Sequence, residues 1–570
     1  MAFDRSNVKG LPSGSSIQII KGKPYVYFKY TWKDSAGKIR YARDYLGVVE
    51  DDQFVPNDYY LRVCPTKEHR PAERWSAKDR KETAIHSLQP EEAKPNKALS
   101  EEEVQTKSVG VTSLAAAILR ENGFVDDVIA TFNGDKKTAQ QVLNIALGAA
   151  ITAKPTYLSA DESAVQMFFG NDKCLSSPRA SELHKTIGSG LDLSMRISKR
   201  RIARLPPHAL LALDGTRINS NSDNILDSVV GKAKNGLFAQ QINHSLLVDA
   251  VNGAPVAYRY YSGSTNDVST LEDFTRIWDE YDLREKEPML VFDRGYYQIE
   301  AFVKLGKAGY RFLVGAKTNF KLVRSIIEDQ NSEFYDVSTL MENADLYGLQ
   351  QMREMVSQSG RIDVRVNVFR NPVEEMAQSR HFLKQLQAIE TNWLKGKVDK
   401  DEPLLEFFET PIYGKPLVRN QSRITEECYL LGFFAFVTNA DLDLQQSLDI
   451  YQLRNEAEVV FKLMLSNLMH STRVHSSQAL DGRLFTSFVA LGVLTDLRHR
   501  MKADLNGSPV FASYTIAEVF ARLKKIQLVT LAGKSHLINV SHKDKALIAA
   551  LGFEGLFDTV ENVTAPLAAL

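Results

Sequence analysis

Hydrophobic and polar residues alternate along the first sixty residues of the chain. The stretch YVYFKYTWKDSAGKIRYARDYLG has this period of two, and turn-forming residues interrupt it from Asp34 to Gly37. Alternation on both sides of a turn predicts a hairpin, so residues 1–62 are predicted to form a β-rich N-terminal domain. Basic and aromatic residues interleave here, which suits phosphate contact and base stacking. A half-exposed sheet with a charged outer face explains the pattern equally well.

The pattern becomes helical after a polar segment. Residues 63–98 are charged and contain scattered prolines, which predicts a linker. From 99 to 195, apolar residues recur at helical spacing, as in LAAAILREN, TAQQVLNIALGAAITA and ASELHKTIG. We interpret this segment as a helical DNA-binding region.

The sharpest basic cluster of the chain follows at the end of this region. It comprises Arg196, Lys199, Arg200, Arg201 and Arg204. Its position just before an α/β block favours contact with DNA phosphates. The alternative is a solvated helix face, which is the usual role of a charge run.

Residues 196–319 have the pattern of an α/β block. Three strand candidates come first (HALLALDG, HSLLVDAV and APVAYRYYSG), and helices then alternate with the strands PMLVFDRG and RFLVGAK. This order is expected of a ribonuclease H-like sheet. Residues 320–445 are predicted to be a β-rich insertion, 446–500 the second part of the core, and 501–570 a C-terminal α/β tail. The predicted fold class is therefore α/β: a ribonuclease H-like catalytic core interrupted by a β-rich insertion, with a β-rich N-terminal domain and a helical DNA-binding region.

Composition limits the possible functions only weakly. Among the 570 residues, Lys plus Arg and Asp plus Glu both number 70, so any DNA-binding surface must come from local segregation of charge. Cys64, Cys174 and Cys428 lack the spacing of a zinc site or a disulfide framework, which favours a reducing cytoplasm. The longest apolar runs, near 429–437 and 484–494, are too short to span a bilayer, which predicts a soluble protein.

Two aspartates end apolar strands. Asp214 follows HALLAL and Asp293 follows PMLVF, with Gly215 and Gly295 close behind. The carboxyl ends of such strands are where α/β folds place their chemistry. A carboxylate at this edge is costly unless it is paired or bound to metal. Each could instead cap a turn or pair with a nearby arginine.

A third acid lies on a predicted helix. The segment DLQQSLDIYQLRNEAEVVFKLMLSNLMH predicts one long helix, on which Tyr451, Arg454, Glu458 and Lys462 share a narrow wedge of the surface. A surface ion-pair ladder gives the same spacing. The pattern alone does not separate Glu458 from Glu456.

Three motifs resemble those of the insertion-sequence DDE transposases of the IS-four group, in the branch with a β-rich N-terminal region. They are LALDGT around Asp214, LVFDRGYY around Asp293, and YQLRNEAEVVFK around Glu458. The last matches the group's signature of Tyr, two residues, Arg, three residues and Glu. The signature lysine, seven positions after the Glu, is replaced by Leu465, and Lys462 is the substitute one turn earlier.

The resemblance implies a DNA transposase with Asp214, Asp293 and Glu458 as catalytic residues and ligands of two Mg²⁺ ions, for which Mn²⁺ can substitute. Its expected partners are double-stranded DNA, as terminal inverted repeats and target, and a second copy of the chain, in a prokaryotic cytoplasm at the nucleoid. The implied reaction is nicking at the transposon ends and strand transfer, and the insertion is expected to contact flanking DNA. The alternatives are a ribonuclease H-like nuclease that does not join ends and an inactive DNA-binding descendant.

Further residues are predicted to contact DNA. Tyr296 and Tyr297 could stack on an unpaired base, although core packing is the commoner role of such residues. The full predicted set is Tyr451, Arg454, Lys462, Tyr296, Tyr297, Arg294, Lys317, Lys199, Arg200, Arg201 and Arg204. For Lys317 the alternative is an ordinary surface lysine.

Overall fold

The computed structural model describes residues 5–12, 14–20, 22–33, 39–57, 60, 104–154, 165–171, 175–190, 192–222, 224–232, 238–263, 265, 267–341, 345–399, 401–409, 415–469, 472, 474–504, 509–511, 514–531 and 533–570. The predicted turn from Asp34 to Gly37 and the predicted linker lie outside these residues. The chain divides into two compact units, Met1–Ser100 and Glu101–Leu570.

The first unit contains an antiparallel sheet. Its strands lie in chain order: β1 (Ser15–Ile20), β2 (Lys23–Lys33), β3 (Ile39–Glu50) and β4 (Gln53–Pro56). A small core of Val8, Val26, Leu46 and Val49 supports one face. The predicted strands of this region are therefore present.

The second unit is built on a large mixed sheet. The strands predicted around Asp214 and Asp293 are β6 (Leu210–Asn219), β8 (Phe238–Asp249), β9 (Pro255–Ser262), β10 (Met289–Phe292) and β11 (Arg311–Ala316), and a short β7 (Val229–Lys232) pairs with β8. β6, β8 and β9 are consecutive antiparallel neighbours. β10 runs parallel to both β6 and β11. The helices between the later strands are α6 (Asp267–Glu280) and α7 (Ile299–Lys307).

The strands of the region 320–445 belong to the same large sheet. Its strands β12 (Leu340–Met341), β13 (Leu346–Ser357), β14 (Gly360–Arg370) and β15 (Phe433–Thr438) continue the large sheet in the order β12-β13-β14-β15-β11. Strand β15 (FFAFVT) pairs antiparallel with β11, which would otherwise be an open apolar edge. The helices of this region are α8 (Lys321–Asp329), α9 (Pro372–Trp393) and α10 (Gln421–Tyr429).

The predicted helical region and the C-terminal tail share one core with β6 and with the helix that carries Glu458. The N-terminal helices are α1 (Gly110–Glu121), α2 (Phe124–Thr131), α3 (Lys136–Thr152), α4 (Ser177–Ile187) and α5 (Leu193–Ala203). The tail contributes α14 (Ile516–Leu523), β16 (Gln527–Leu531), β17 (Lys534–Ile538), α15 (His542–Ala550) and α16 (Val560–Thr564). Strand β5 (Val104–Ser108) pairs with β16, and apolar residues from 109 to 567 form a single cluster. The predicted boundaries at 195 and 501 thus fall inside one packed unit.

The long helix predicted around Glu458 is broken at Arg454. The structure has α11 (Leu444–Leu453), α12 (Asn455–Asn467) and the core helix α13 (Ser477–Asp504). Within the described ranges, no helix is both long and apolar enough to cross a membrane.

Candidate active site

Asp214 and Asp293 follow paired positions of two neighbouring strands. Leu213 of β6 is the register partner of Phe292 of β10, so the two aspartates come next on parallel strands about 4.8 Å apart. Asp293 keeps an extended backbone, with φ −69° and ψ 158°. Ala212 of β6 belongs to the same hydrophobic core as the buried residues of α12, and residues two apart on a strand point to the same face of the sheet. Asp214 therefore faces α12.

Asp293 and Glu458 both lie near enough to Asp214 to affect its charge. The pKa of Asp214 is raised to about 6: burial is the main cause, the nearby Asp293 and Glu458 add to it, and the Gly215 amide and Arg454 oppose it. The Gly215 N–H donates to Asp214 Oδ1 at 2.8 Å. Asp214 itself lies within β6, which continues to Asn219 because it pairs with β8 beyond this residue, so the prediction that Asp214 ends its strand is wrong.

Arg454 bridges two of the acids. Its Nη1 is 3.6 Å from Asp293 Oδ1, and its Nη2 donates to Glu458 Oε1 at 2.7 Å. The arginine side chain is only 11% exposed, whereas that of Glu458 is 56% exposed. Burial would lower the pKa of Arg454, but Tyr451, Asp293 and Glu458 outweigh this effect and raise it. Arg454 is thus a largely buried counter-charge for the acids.

Tyr451 contacts the same site from α11. Its hydroxyl donates to Asp293 Oδ1 at 3.4 Å, and its ring stacks on Phe436 of β15 with the centroids 4.1 Å apart. Burial raises the pKa of Tyr451 to about 12. Gly315 of β11 makes room for this tyrosine, because a β-carbon at residue 315 would be 2.5 Å from the hydroxyl. The only sequence signal for Gly315 is its position inside a strand, where glycine often marks a close approach.

A cleft of about 960 Å³ opens beside Asp293. Arg294 and Lys317, both predicted to contact DNA, are exposed on its walls. Phe433, Phe434 and Phe436 line the same cleft. It therefore combines positive charge with aromatic surface next to the acids.

The structure separates Glu456 from Glu458. Glu456 forms ion pairs with Arg498 and Lys502 of α13, whereas Glu458 pairs with Arg454. Lys462, one turn further along α12, is exposed.

The predicted base-stacking tyrosines lie in the core. Tyr296 is 1% exposed and packs near Phe292, and Tyr297 is 7% exposed and packs near Phe320. In this conformation they are not accessible to DNA, so the structure places them where the packing alternative predicts.

The residues of the basic cluster differ in exposure and in contacts. Lys199 and Arg200 are exposed. Arg201 is 9% exposed and its Nη1 is 3.1 Å from Asp127, to which Arg204 also binds at 2.9 Å. These two arginines hold α5 against α2, and no local pattern in the sequence indicated their buried partner.

Two of the acids are paired with an arginine in this arrangement. Over the parts of the chain that the structure describes, no group of three or more His, Cys, Asp or Glu side chains is placed to hold a metal ion. Arg454 lies between Asp293 and Glu458 and contacts both.

Comparison with known proteins defines the family. Residues 206–492, just over half of the chain, match the family model described as Transposase DDE domain. The chain therefore belongs to the DDE transposase family, and the matched region contains Asp214, Asp293 and Glu458. A search of curated proteins gave no match. Among solved structures, the chain is similar to a piggyBac transposase synaptic complex with hairpin DNA, with a TM-score of 0.38 and 9% identity over 73% of this chain and 80% of that chain.

Proposed function

We propose that the protein nicks the DNA ends of a mobile element and joins the freed 3′ ends to target DNA. The observation that carries this proposal is the meeting of three acids in a chain of the DDE family. Asp214 lies within β6 and Asp293 directly follows the neighbouring parallel strand β10, and one guanidinium contacts both Asp293 and Glu458. Terminal inverted repeats and target DNA are the proposed substrates, with two copies of the chain acting together.

The acids suit divalent cations chemically. Carboxylate oxygens are the ligands that Mg²⁺ prefers, and Mn²⁺ accepts the same donors. Asp214 is largely buried beside two other acids, so its charged form requires a compensating cation. We propose that Asp214, Asp293 and Glu458 hold two such ions. When bound, the ions would activate the attacking oxygen and stabilise the leaving oxygen of the phosphodiester.

The neighbouring residues have separate proposed roles. Tyr451 orients Asp293 through its hydroxyl. Arg454 neutralises Asp293 and Glu458 in the described conformation, and we propose that it turns to a DNA phosphate during the reaction, because guanidinium groups bind phosphate through two hydrogen bonds. Arg294 and Lys317 would bind the DNA backbone along the cleft.

We also propose a ribonuclease H-like core and membership of the IS-four group. The strand neighbours β9-β8-β6-β10-β11, three antiparallel and then two parallel, support the first. The contacts of Tyr451, Arg454 and Glu458 around Asp293 support the second, since these are the three signature positions.

The test uses purified protein, Mg²⁺ and DNA carrying the element's terminal repeats, both intact and pre-cut. We expect Asp214→Asn, Asp293→Asn and Glu458→Gln each to abolish nicking and joining while DNA binding persists. Asp449→Asn is the matched control, because Asp449 is an exposed acid on α11. Wild-type activity in any of the three variants would remove that residue from the site. Nicking without joining by the wild-type protein would identify a nuclease instead.

A further inference from the structure

The first turn of α12 lacks the usual anchor of a helix start. Its N-cap residue is Arg454, which keeps helical angles (φ −54°, ψ −30°) and makes no side-chain capping hydrogen bond. Glu458 lies in this turn. Its position therefore depends on what else holds the turn in place.

Glu456 provides such an anchor. Its carboxylate pairs with both Nη atoms of Arg498, and Lys502 Nζ donates to Oε1 at 2.6 Å. Glu456 and Arg498 are 18% and 21% exposed, so water screens their pair less than it screens a surface pair.

Helix α13, which carries Arg498 and Lys502, is itself held in place by core packing. Leu491, Leu494 and Leu497 of α13 are all buried in the largest core of the molecule. Glu456 and Glu458 are two residues apart and so point about 200° apart around α12. A contact that fixes Glu456 on α13 also fixes the rotation at which Glu458 is presented on the other side.

We propose that Glu456 is a positioning residue for Glu458. Its ion pairs with Arg498 and Lys502 hold the first turn of α12 in the rotation that directs Glu458 toward Asp214 and Asp293. This inference rests on the proposed role of Glu458 as a metal ligand. In the competing account, the buried Ala457, Val460 and Phe461 fix α12 alone, and Glu456 contributes only to stability.

The experiment compares Glu456→Gln with wild type and with Arg500→Gln in the 570-residue chain. Arg500 is a matched control, because it lies on α13 like Arg498, is 20% exposed and forms an ion pair with Glu121 at 2.9 Å. Hydrogen exchange of the amides of 455–460 measures the order of the first turn, and electron paramagnetic resonance measures Mn²⁺ binding. In Glu456→Gln we expect faster exchange at 455–460 and unchanged exchange at 461–467. We also expect the Mn²⁺ concentration for half-saturation to rise by about tenfold, the lower end of the effect of residues that support metal ligands.

Several results would overturn the proposal. Unchanged exchange at 455–460 would show that Glu456 does not hold the turn, and equal changes in Arg500→Gln would show a general loss of stability. Faster exchange with wild-type Mn²⁺ half-saturation would show that the turn does not position Glu458. The proposed metal site itself fails if the wild-type protein does not bind Mn²⁺, or if Glu458→Gln binds Mn²⁺ as well as wild type does. In that case the exchange data alone decide whether Glu456 anchors α12.

Discussion

Gly315 and Tyr451 are in such close contact that the strand can carry no side chain at residue 315. A β-carbon there would be 2.5 Å from the Tyr451 hydroxyl and 3.1 Å from the backbone nitrogen of Arg294. The same hydroxyl donates to Asp293. The glycine thus lets α11 approach the strand edge that carries the second acid.

We predict that Gly315→Ala displaces Tyr451 from Asp293. Overpacking of this kind typically costs about 1–3 kcal/mol, and here it should also lower the rate of DNA-end cleavage. Adding Tyr451→Phe should recover part of the stability, since it removes the nearest clashing atom, without restoring the rate. Thermal melts and cleavage assays measure the two effects.

The control for this prediction is Gly231→Ala. Gly231 also lies in a strand, but a β-carbon there would be 3.5 Å from its nearest neighbour, an ordinary contact. Equal losses in the two alanine variants would mean that the contact with Tyr451 is not the cause.

The sequence was sufficient to predict the two strand-borne acids. Asp214 and Asp293 each follow an apolar run, and these runs form the paired parallel strands β6 and β10, but only Asp293 ends its strand, because β6 continues along β8 to Asn219. The sequence also predicted the order in which strands and helices follow one another along the chain, because apolar alternation and helix length are local signals.

Features that depend on distant partners were not predictable in this way. Glu456 and Glu458 differ only in what they contact, and Arg498 is 42 residues from Glu456 along the chain. The joining of β15 to β11 and the burial of Tyr296 likewise result from tertiary packing that no local pattern encodes. The helix breaks at Arg454, which contacts Asp293 and Glu458, although the apolar pattern of the sequence continues through this residue.

Two buried histidines predict a loss of stability in acid. Burial lowers the pKa of His184 and of His244 to about 4, and Arg483 adds to the effect at His184. In the unfolded chain a histidine titrates near 6.5. Between these values the unfolded chain binds protons that the folded chain does not, so stability is complete above about pH 6.5 and falls as the pH drops toward 4.

The check is the melting temperature from pH 8 to 4. Over the whole window each histidine should cost up to about 3 kcal/mol. His244 stacks on Tyr258 with the ring centroids 5.8 Å apart, so His244→Phe should keep the packing and reduce the pH dependence. His542→Gln, at an exposed histidine, should leave the profile unchanged. An unaltered profile for His244→Phe would mean that other groups cause the acid sensitivity.

The exposed and the buried residues of the basic cluster should affect different properties: DNA binding in the first case and stability in the second. Lys199 and Arg200 are exposed, whereas Arg201 pairs with Asp127 and lies 4.1 Å from the ring centroid of Phe124. Replacing both Lys199 and Arg200 with Gln should weaken DNA binding and reduce the salt dependence of the binding constant by about 0.9 for each phosphate that the protein no longer neutralises, with no change in melting temperature. Arg201→Gln should instead destabilise the fold by a few kcal/mol, on the order of the cost of breaking a buried ion pair. Filter binding at several salt concentrations and thermal melts distinguish the two, and an unchanged salt dependence in the double variant would mean that Lys199 and Arg200 form only a solvated helix face.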